Sequence, residues 1–416
     1  MTSAYLYGLA CGLVPAVYSL ARAMLDIRRV GSTRSKPWIA GAAAVSFWFI
    51  CFLSFSALFA PMRGFLVFAW GLLASIVAIT SNDASAFSPR LEDRLIRVKA
   101  SDAQIIPLRL WGKQDAPSAI ILCIHGFSDY ARGFGHMLAA LDTANTSLMM
   151  AFDQRGFGET ASRGQWAGHD VMISDLHDVL LYIGERYPGL PVHVVGESMG
   201  AALLLVAMHH PKTSAFFKST TETNSAAQQS PSTFRTSRTN SNPQVQSSIL
   251  LAPAVWGWSA MPWYQVLSLK LFSQLLPDLR LSSQYARRLG VRPTDDPTVA
   301  AYLAKDPLML RDIPVSMIAG LSDLMSEASL LMPKKGHRSL VVIGTRDEVI
   351  PGSAYCAWLA KSHEIATGQW IVQQDGFHML TRQMKSDAIL ISLSNFLTSQ
   401  LHHLEQDPPP MKALKC

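Results

Sequence analysis

The chain has 416 residues, of which 49% are apolar and only 16% charged, with a formal net charge of +6. That is too apolar for an evenly soluble protein and long enough for one large domain or two ordinary ones. No basic–aromatic stripe or zinc-finger spacing points to nucleic acid. The five cysteines are scattered without a C-x-x-C pair, so no zinc site is indicated.

The apolar excess lies at the start. Met1 to Ala21, Trp38 to Met62 and Gly64 to Asn82 contain no charged residue. Each is close to the roughly 20 residues that a helix needs to cross a bilayer. No basic stretch precedes the first run, which argues against a secretory signal. The reading is three transmembrane helices within residues 1–82; a two-span hairpin behind an amphipathic or cleaved segment is the alternative. Arg28, Arg29, Arg34 and Lys36 follow the first run, and Arg90, Arg94, Arg97 and Lys99 follow the third. Three spans put both basic clusters on one side, with Arg63 opposite. The positive-inside tendency makes that side cytoplasmic, so an integral membrane protein with its large C-terminal part in the cytoplasm is expected.

From Leu91 the texture changes. RLIRVKA and IIPLRLWG read as an antiparallel opening pair. AIILCIHGF (Ala119 to Phe127) is a strand buried on both faces. SLMMAFDQRGFG is a strand ending in a glycine-rich turn. Asp170 to Tyr187 carries apolar residues at helical spacing. PVHVVGES is a strand and MGAALLLVAMHH the helix behind it. Residues 213–247 are rich in Ser, Thr, Asn and Gln and read as a polar, flexible insertion. SSILLAPA resumes the strands. Residues 255–335 are mostly helical by pattern. SLVVIGTRD and QWIVQQDGFH are the last strands, Ser386 to Leu404 the closing helix, and residues 405–416 a proline-rich tail. Alternation of strands and helices predicts a mostly parallel sheet with helices on both faces.

One stretch carries chemistry. VVGESMG fits G-x-S-x-G with a strand before Ser198 and a helix after it. That is the context of a nucleophile elbow, a sharp turn that exposes a serine above a sheet. A serine hydroxyl needs a base within hydrogen-bond reach, and the base needs an orienting group. His378, after the last strand, and Asp347, after the strand before it, supply both in the order Ser–acid–His. Two backbone amides complete the arrangement as an oxyanion hole: Met199, which follows the nucleophile, and Phe127 in the HGF turn. Such chemistry requires no metal and no organic cofactor.

HGFSDY, AFDQRGFGET, GESMG, GTRDEVIP and DGFH, in this order, resemble the lysophospholipase and monoacylglycerol lipase branch of the α/β-hydrolase fold, grouped also with serine aminopeptidase-like hydrolases. The likeness spans residues 91–404. It implies a mostly parallel eight-stranded sheet and places a cap insertion at 255–335. It also implies that Ser198, Asp347 and His378 form a triad with Phe127 and Met199 as the oxyanion hole. Ala201 stands where a third glycine is common, and the polar insertion is unusual. The N-terminal spans are no part of the family pattern.

Several residues have blander readings. Asp347 also fits a helix N-cap, Asp375 lies nearer His378 in sequence, and Asp323 is a third carboxylate. His125 reads as a shaper of the oxyanion loop and Arg155 as a turn stabiliser. Trp256, Trp258, Trp263 and Met261 either line an acyl pocket or pack the cap. The expected reaction is hydrolysis of a carboxylic ester through an acyl-serine, with a lysophospholipid or monoacylglycerol drawn from the membrane as substrate. The alternatives are a hydrolase of small esters, thioesters or peptides, a membrane-bound scaffold that keeps the triad without turnover, and a binding or transport role for the N-terminal bundle.

Overall fold

The computed structural model describes residues 93–141, 145–217, 243–282, 291–360 and 369–398. The three N-terminal apolar segments, most of the polar insertion and the tail lie outside the described residues. Among the described residues no helix is long and apolar enough to cross a membrane.

Strands β1 (Arg94–Lys99) and β2 (Ile105–Gly112) open the domain as an antiparallel pair. β3 (Ala119–Ile124) leads to the short helix α1 (Gly135–Ala139) and then to β4 (Ser147–Phe152). Helix α2 (His169–Arg186), β5 (Val192–Glu197) and helix α3 (Met199–His209) follow, then β6 (Val245–Leu251). The next region holds α4 (Trp263–Leu275), the three-residue strands β7 (Arg280–Ser282) and β8 (Asp312–Pro314), α5 (Pro297–Lys305) and α6 (Val315–Ala328). β9 (Arg338–Gly344), α7 (Gly352–Ala360), β10 (Gln369–Gln373) and α8 (Asp387–Thr398) close the chain.

Eight strands form one sheet in the order β1-β2-β4-β3-β5-β6-β9-β10. β2 runs antiparallel to both neighbours; every pair from β4 to β10 is parallel. The inner strands are apolar on both faces because both faces are covered. On β3, Ile120, Leu122 and Ile124 enter the core shared with α2, α3, α6 and α7, whereas Ile121 and Cys123 enter the core shared with α1 and α8. α3 is apolar all round, and nearly all of it is buried.

The expected cap region divides physically. α6 packs against α3 and its buried face belongs to the main core, so this helix is part of the layer over the sheet. α4 instead turns large apolar residues to solvent: Trp263 is 75% exposed, Leu267 60% and Leu275 67%. Periodicity alone does not say which layer an apolar helix joins, and both read alike in the sequence.

The ends of β3, β5, β9 and β10 sit at the carboxyl edge of the parallel strands, where open α/β sheets place their sites. Close backbone approach sets the local shape there. A Cβ on Gly200 would lie 2.1 Å from the Ile124 carbonyl oxygen, and one on Gly344 would lie 2.3 Å from that of Gly376. Gly200→Ala therefore forces β3 and α3 apart. The expected loss is about 3 kcal/mol, the upper end of what overpacking ordinarily costs, read as a lower midpoint in urea denaturation.

Candidate active site

Ser198 ends β5 and opens α3 with φ 54° and ψ −113°. This left-handed φ is unfavourable for a residue with a Cβ and occurs where the surrounding structure holds it. Here its own amide donates to the Leu251 carbonyl at 2.9 Å, and its carbonyl accepts from the Ala254 amide at 3.1 Å. The end of β6 and the loop after it thus pin the turn from one side. On the other side Gly126 approaches closely, since a Cβ there would sit 3.2 Å from that of Ser198.

His378 follows β10 in a loop tied to the loop after β9: the Arg346 amide donates to the Gly376 carbonyl at 2.8 Å and the Thr345 amide to that of Gln373 at 3.0 Å. The imidazole Nδ1 stands 2.7 Å from Asp347 Oδ2 and Nε2 2.8 Å from Ser198 Oγ. A carboxylate only accepts, so Nδ1 carries the proton and Nε2 is left to accept from the Ser198 hydroxyl. Asp347 is fixed in turn. Its Oδ1 accepts the Val349 and Ile350 amides at 2.8 and 2.9 Å, and its Oδ2 also accepts the Tyr355 hydroxyl at 2.9 Å. One carboxylate thus closes the turn after β9 and orients His378; α7 begins only at Gly352, so Asp347 is not its N-cap.

The competing carboxylates point elsewhere. Asp375 is exposed, with φ 56°, and makes neither a hydrogen bond nor an ion pair with His378. Asp323 accepts the Trp258 indole N–H at 2.9 Å. Arg155 bridges Asp175 and Asp102, joining the turn after β4 to α2 and to the β1–β2 turn. Trp256 and Met261 are buried in the core, while Trp263 faces solvent.

His125 shapes the turn after β3. Its Nε2 accepts the Gln154 amide at 2.9 Å, which leaves the proton on Nδ1 to donate to the Gly126 carbonyl at 2.8 Å. That bond fixes the peptide plane between Gly126 and Phe127, and with it the direction of the Phe127 amide. Met199 is the first residue of α3, and its amide has no intrahelical acceptor. Neither amide donates to another described residue.

Burial of the His378 ring opposes its charging, but the adjacent Asp347 carboxylate outweighs burial and holds the imidazole above its ordinary value. The Tyr355 hydroxyl is pushed well up by burial and by Asp347, so it stays a donor. Sequence inspection offered no sign of Tyr355, because an aromatic eight positions after Asp347 looks like an ordinary core residue of α7.

A model of the family described as serine aminopeptidase, S33 (Hydrolase_4) matches residues 115–227 and 233–384. The chain belongs to this family. Human monoglyceride lipase is 25% identical over 298 residues, covering 68% of this chain and 83% of that protein. Two solved structures show the same fold. One is a monoacylglycerol lipase from Paleococcus ferrophilus, with TM-score 0.52 and 15% identity over 73% of this chain and 98% of its own. The other is a soluble variant of monoglyceride lipase from Saccharomyces cerevisiae, solved with a substrate analog, with TM-score 0.53 and 16% identity over 77% of this chain and 98% of its own. The α/β-hydrolase fold and the class, a serine ester hydrolase, stand together on these matches.

For this hydrolase the charge on Asp347 sets how readily His378 takes a proton. In Ser198→Ala protein, the His378 imidazole followed by NMR with labelled histidine should titrate above its ordinary value near 6.5. Asp347→Asn should lower its midpoint, because burial and the Arg382 charge then oppose protonation with only the Glu197 carboxylate against them.

Proposed function

We propose that the protein cleaves a long-chain monoacylglycerol or lysophospholipid at a membrane surface through an acyl-serine intermediate. The observation that carries the chemistry is the single ring of His378 bonded to Ser198 on one side and to Asp347 on the other. Ser198 Oγ attacks the ester carbonyl as its proton passes to His378 Nε2. Asp347 stabilises the imidazolium that forms without taking a proton itself. The oxyanion is met by the Phe127 and Met199 amides, which are positioned before the reaction and need no reorganisation during it. His378 then protonates the leaving alcohol, activates a water on the same nitrogen, and the acid departs with Ser198 restored.

The substrate class rests on two supports. The curated relative that aligns along most of its length is a monoglyceride lipase. In addition, Trp263, Leu267, Leu271 and Leu275 recur every fourth residue on α4 and are all exposed. A contiguous apolar stripe of this kind suits an amphiphile-bearing surface. The N-terminal segments supply the anchor in this reading. Their lengths suit three spans, and their flanking arginines and lysines support a cytoplasmic hydrolase domain.

Two measurements test the proposal. With vesicle-borne monoacylglycerols, lysophospholipids and short p-nitrophenyl esters assayed side by side, kcat/KM should rise by about fourfold per added acyl methylene until the acyl site is filled. A flat dependence on chain length, or a preference for acetate, would assign the enzyme to small esters instead. A reporter fused after Lys99 should be active only in the cytoplasm, and activity on the opposite side would rule out the three-span arrangement.

A further inference from the structure

Four residues beyond His378 the chain places Arg382, and its side chain is only 2% exposed. A single nitrogen, Nη2, stands 2.6 Å from Asp129 Oδ2 and 2.5 Å from Glu197 Oε2. Asp129 lies two residues after Phe127 in the turn following β3. Glu197 is the residue before Ser198. Each carboxylate has a side-chain exposure of 4%. One guanidinium therefore joins the loop of the oxyanion amide, the elbow of the nucleophile and the loop of the base.

The neighbouring backbone makes these joints stiff. The Arg382 carbonyl accepts the Thr294 hydroxyl at 2.5 Å, and the Met379 amide donates to the Pro293 carbonyl at 2.8 Å. Asp129 Oδ1 accepts the Tyr130 amide at 2.8 Å, and Leu310 donates its amide to the Ser128 carbonyl at 3.2 Å. Gly133 leaves room for the pair, because a Cβ there would press to 2.9 Å from both Arg382 Nη1 and Asp129 Oδ2. The residues lie far apart in sequence, so only the folded loops bring them together.

Two carboxylates against one guanidinium make a poor device for stability alone. Desolvating three charges is expensive, and apolar replacement of a buried ion pair is often neutral or better. A rigid, planar and always charged guanidinium nevertheless fixes the place of its Nη2 between the two carboxylates more narrowly than a lysine on its flexible stem would fix an ammonium. We infer that Arg382 is a positioning residue, which sets the spacing of Ser198, His378 and the Phe127 amide by clamping Asp129 and Glu197. It touches none of the reacting atoms. The inference rests on the reading of Ser198, His378 and Asp347 as the catalytic groups.

The test compares full-length Arg382→Lys, Glu197→Gln and Ser198→Ala proteins on one soluble ester, with folding checked by thermal melting and near-UV circular dichroism. Displacement of reacting groups by a fraction of an ångström to an ångström lowers turnover steeply, so Arg382→Lys should lose about 10–10²-fold in kcat. KM should stay within about twofold, since the substrate-binding surface is untouched by loop spacing. Glu197→Gln, which keeps the shape and an accepting oxygen but removes the charge from one joint, should fall between Arg382→Lys and wild type. If Arg382→Lys does not fold, Glu197→Gln decides by the same measure. A folded variant with wild-type kcat, or one whose defect lies wholly in KM, overturns the inference. Activity retained in Ser198→Ala would instead overturn the catalytic reading itself, so the two failures are told apart.

Discussion

Ser198 is held in a backbone conformation that a residue with a side chain resists. Such a sparsely populated conformation costs on the order of 1–3 kcal/mol, and the surroundings explain how it persists. The strand before it is locked between β3 and β6, the helix after it is buried almost throughout, and two backbone hydrogen bonds, one from the last residue of β6 and one from the loop after it, close on the serine itself. Gly196, Gly200 and Gly126 have no Cβ where one would collide with, or crowd, neighbouring atoms of the turn. The remainder of the site is arranged around a hydroxyl lifted clear of the sheet in this way.

The second constraint is electrical. Asp347 and His378 are both almost fully buried, so their interaction is little screened by solvent. An unpaired carboxylate there would be costly. Asp347 avoids this by accepting two amides and the Tyr355 hydroxyl besides the imidazole. Those partners also fix its orientation, which fixes the ring of His378, which directs Nε2 at Ser198. Beside this chain of bonds lies a second buried set, Arg382 with Asp129 and Glu197, whose joints reach the elbow and the His378 loop by another route and take in the turn after β3 as well.

The succession of main-sheet strands along the chain, the turn at Ser198 and the loops that carry Asp347 and His378 were legible because each rests on local pattern: apolar runs of strand length, a glycine-flanked serine, and polar residues just past strand ends. The choice of Asp347 over Asp375 follows from geometry. Asp375 occupies a left-handed turn that points it to solvent, whereas Asp347 sits on the neighbouring loop facing the ring. Arg382, Glu197, Asp129 and Tyr355 were not legible in these roles. Their pairings span from 8 residues, for Tyr355 and Asp347, to 253, for Arg382 and Asp129, and a charge in sequence does not disclose which distant charge it meets. The layer joined by α6 was hidden for a related reason, since an amphipathic period marks a buried face without naming the surface that buries it.

The proposed chemistry requires Ser198 as the nucleophile, activated by His378. Labelling of the folded, full-length protein with a fluorophosphonate probe, followed by mass spectrometry of the modified peptide, tests this most directly. The label should fall on Ser198, vanish in Ser198→Ala and slow sharply in His378→Ala. Absence of label in folded protein, or a label on a different serine with ester hydrolysis intact in Ser198→Ala, would contradict it.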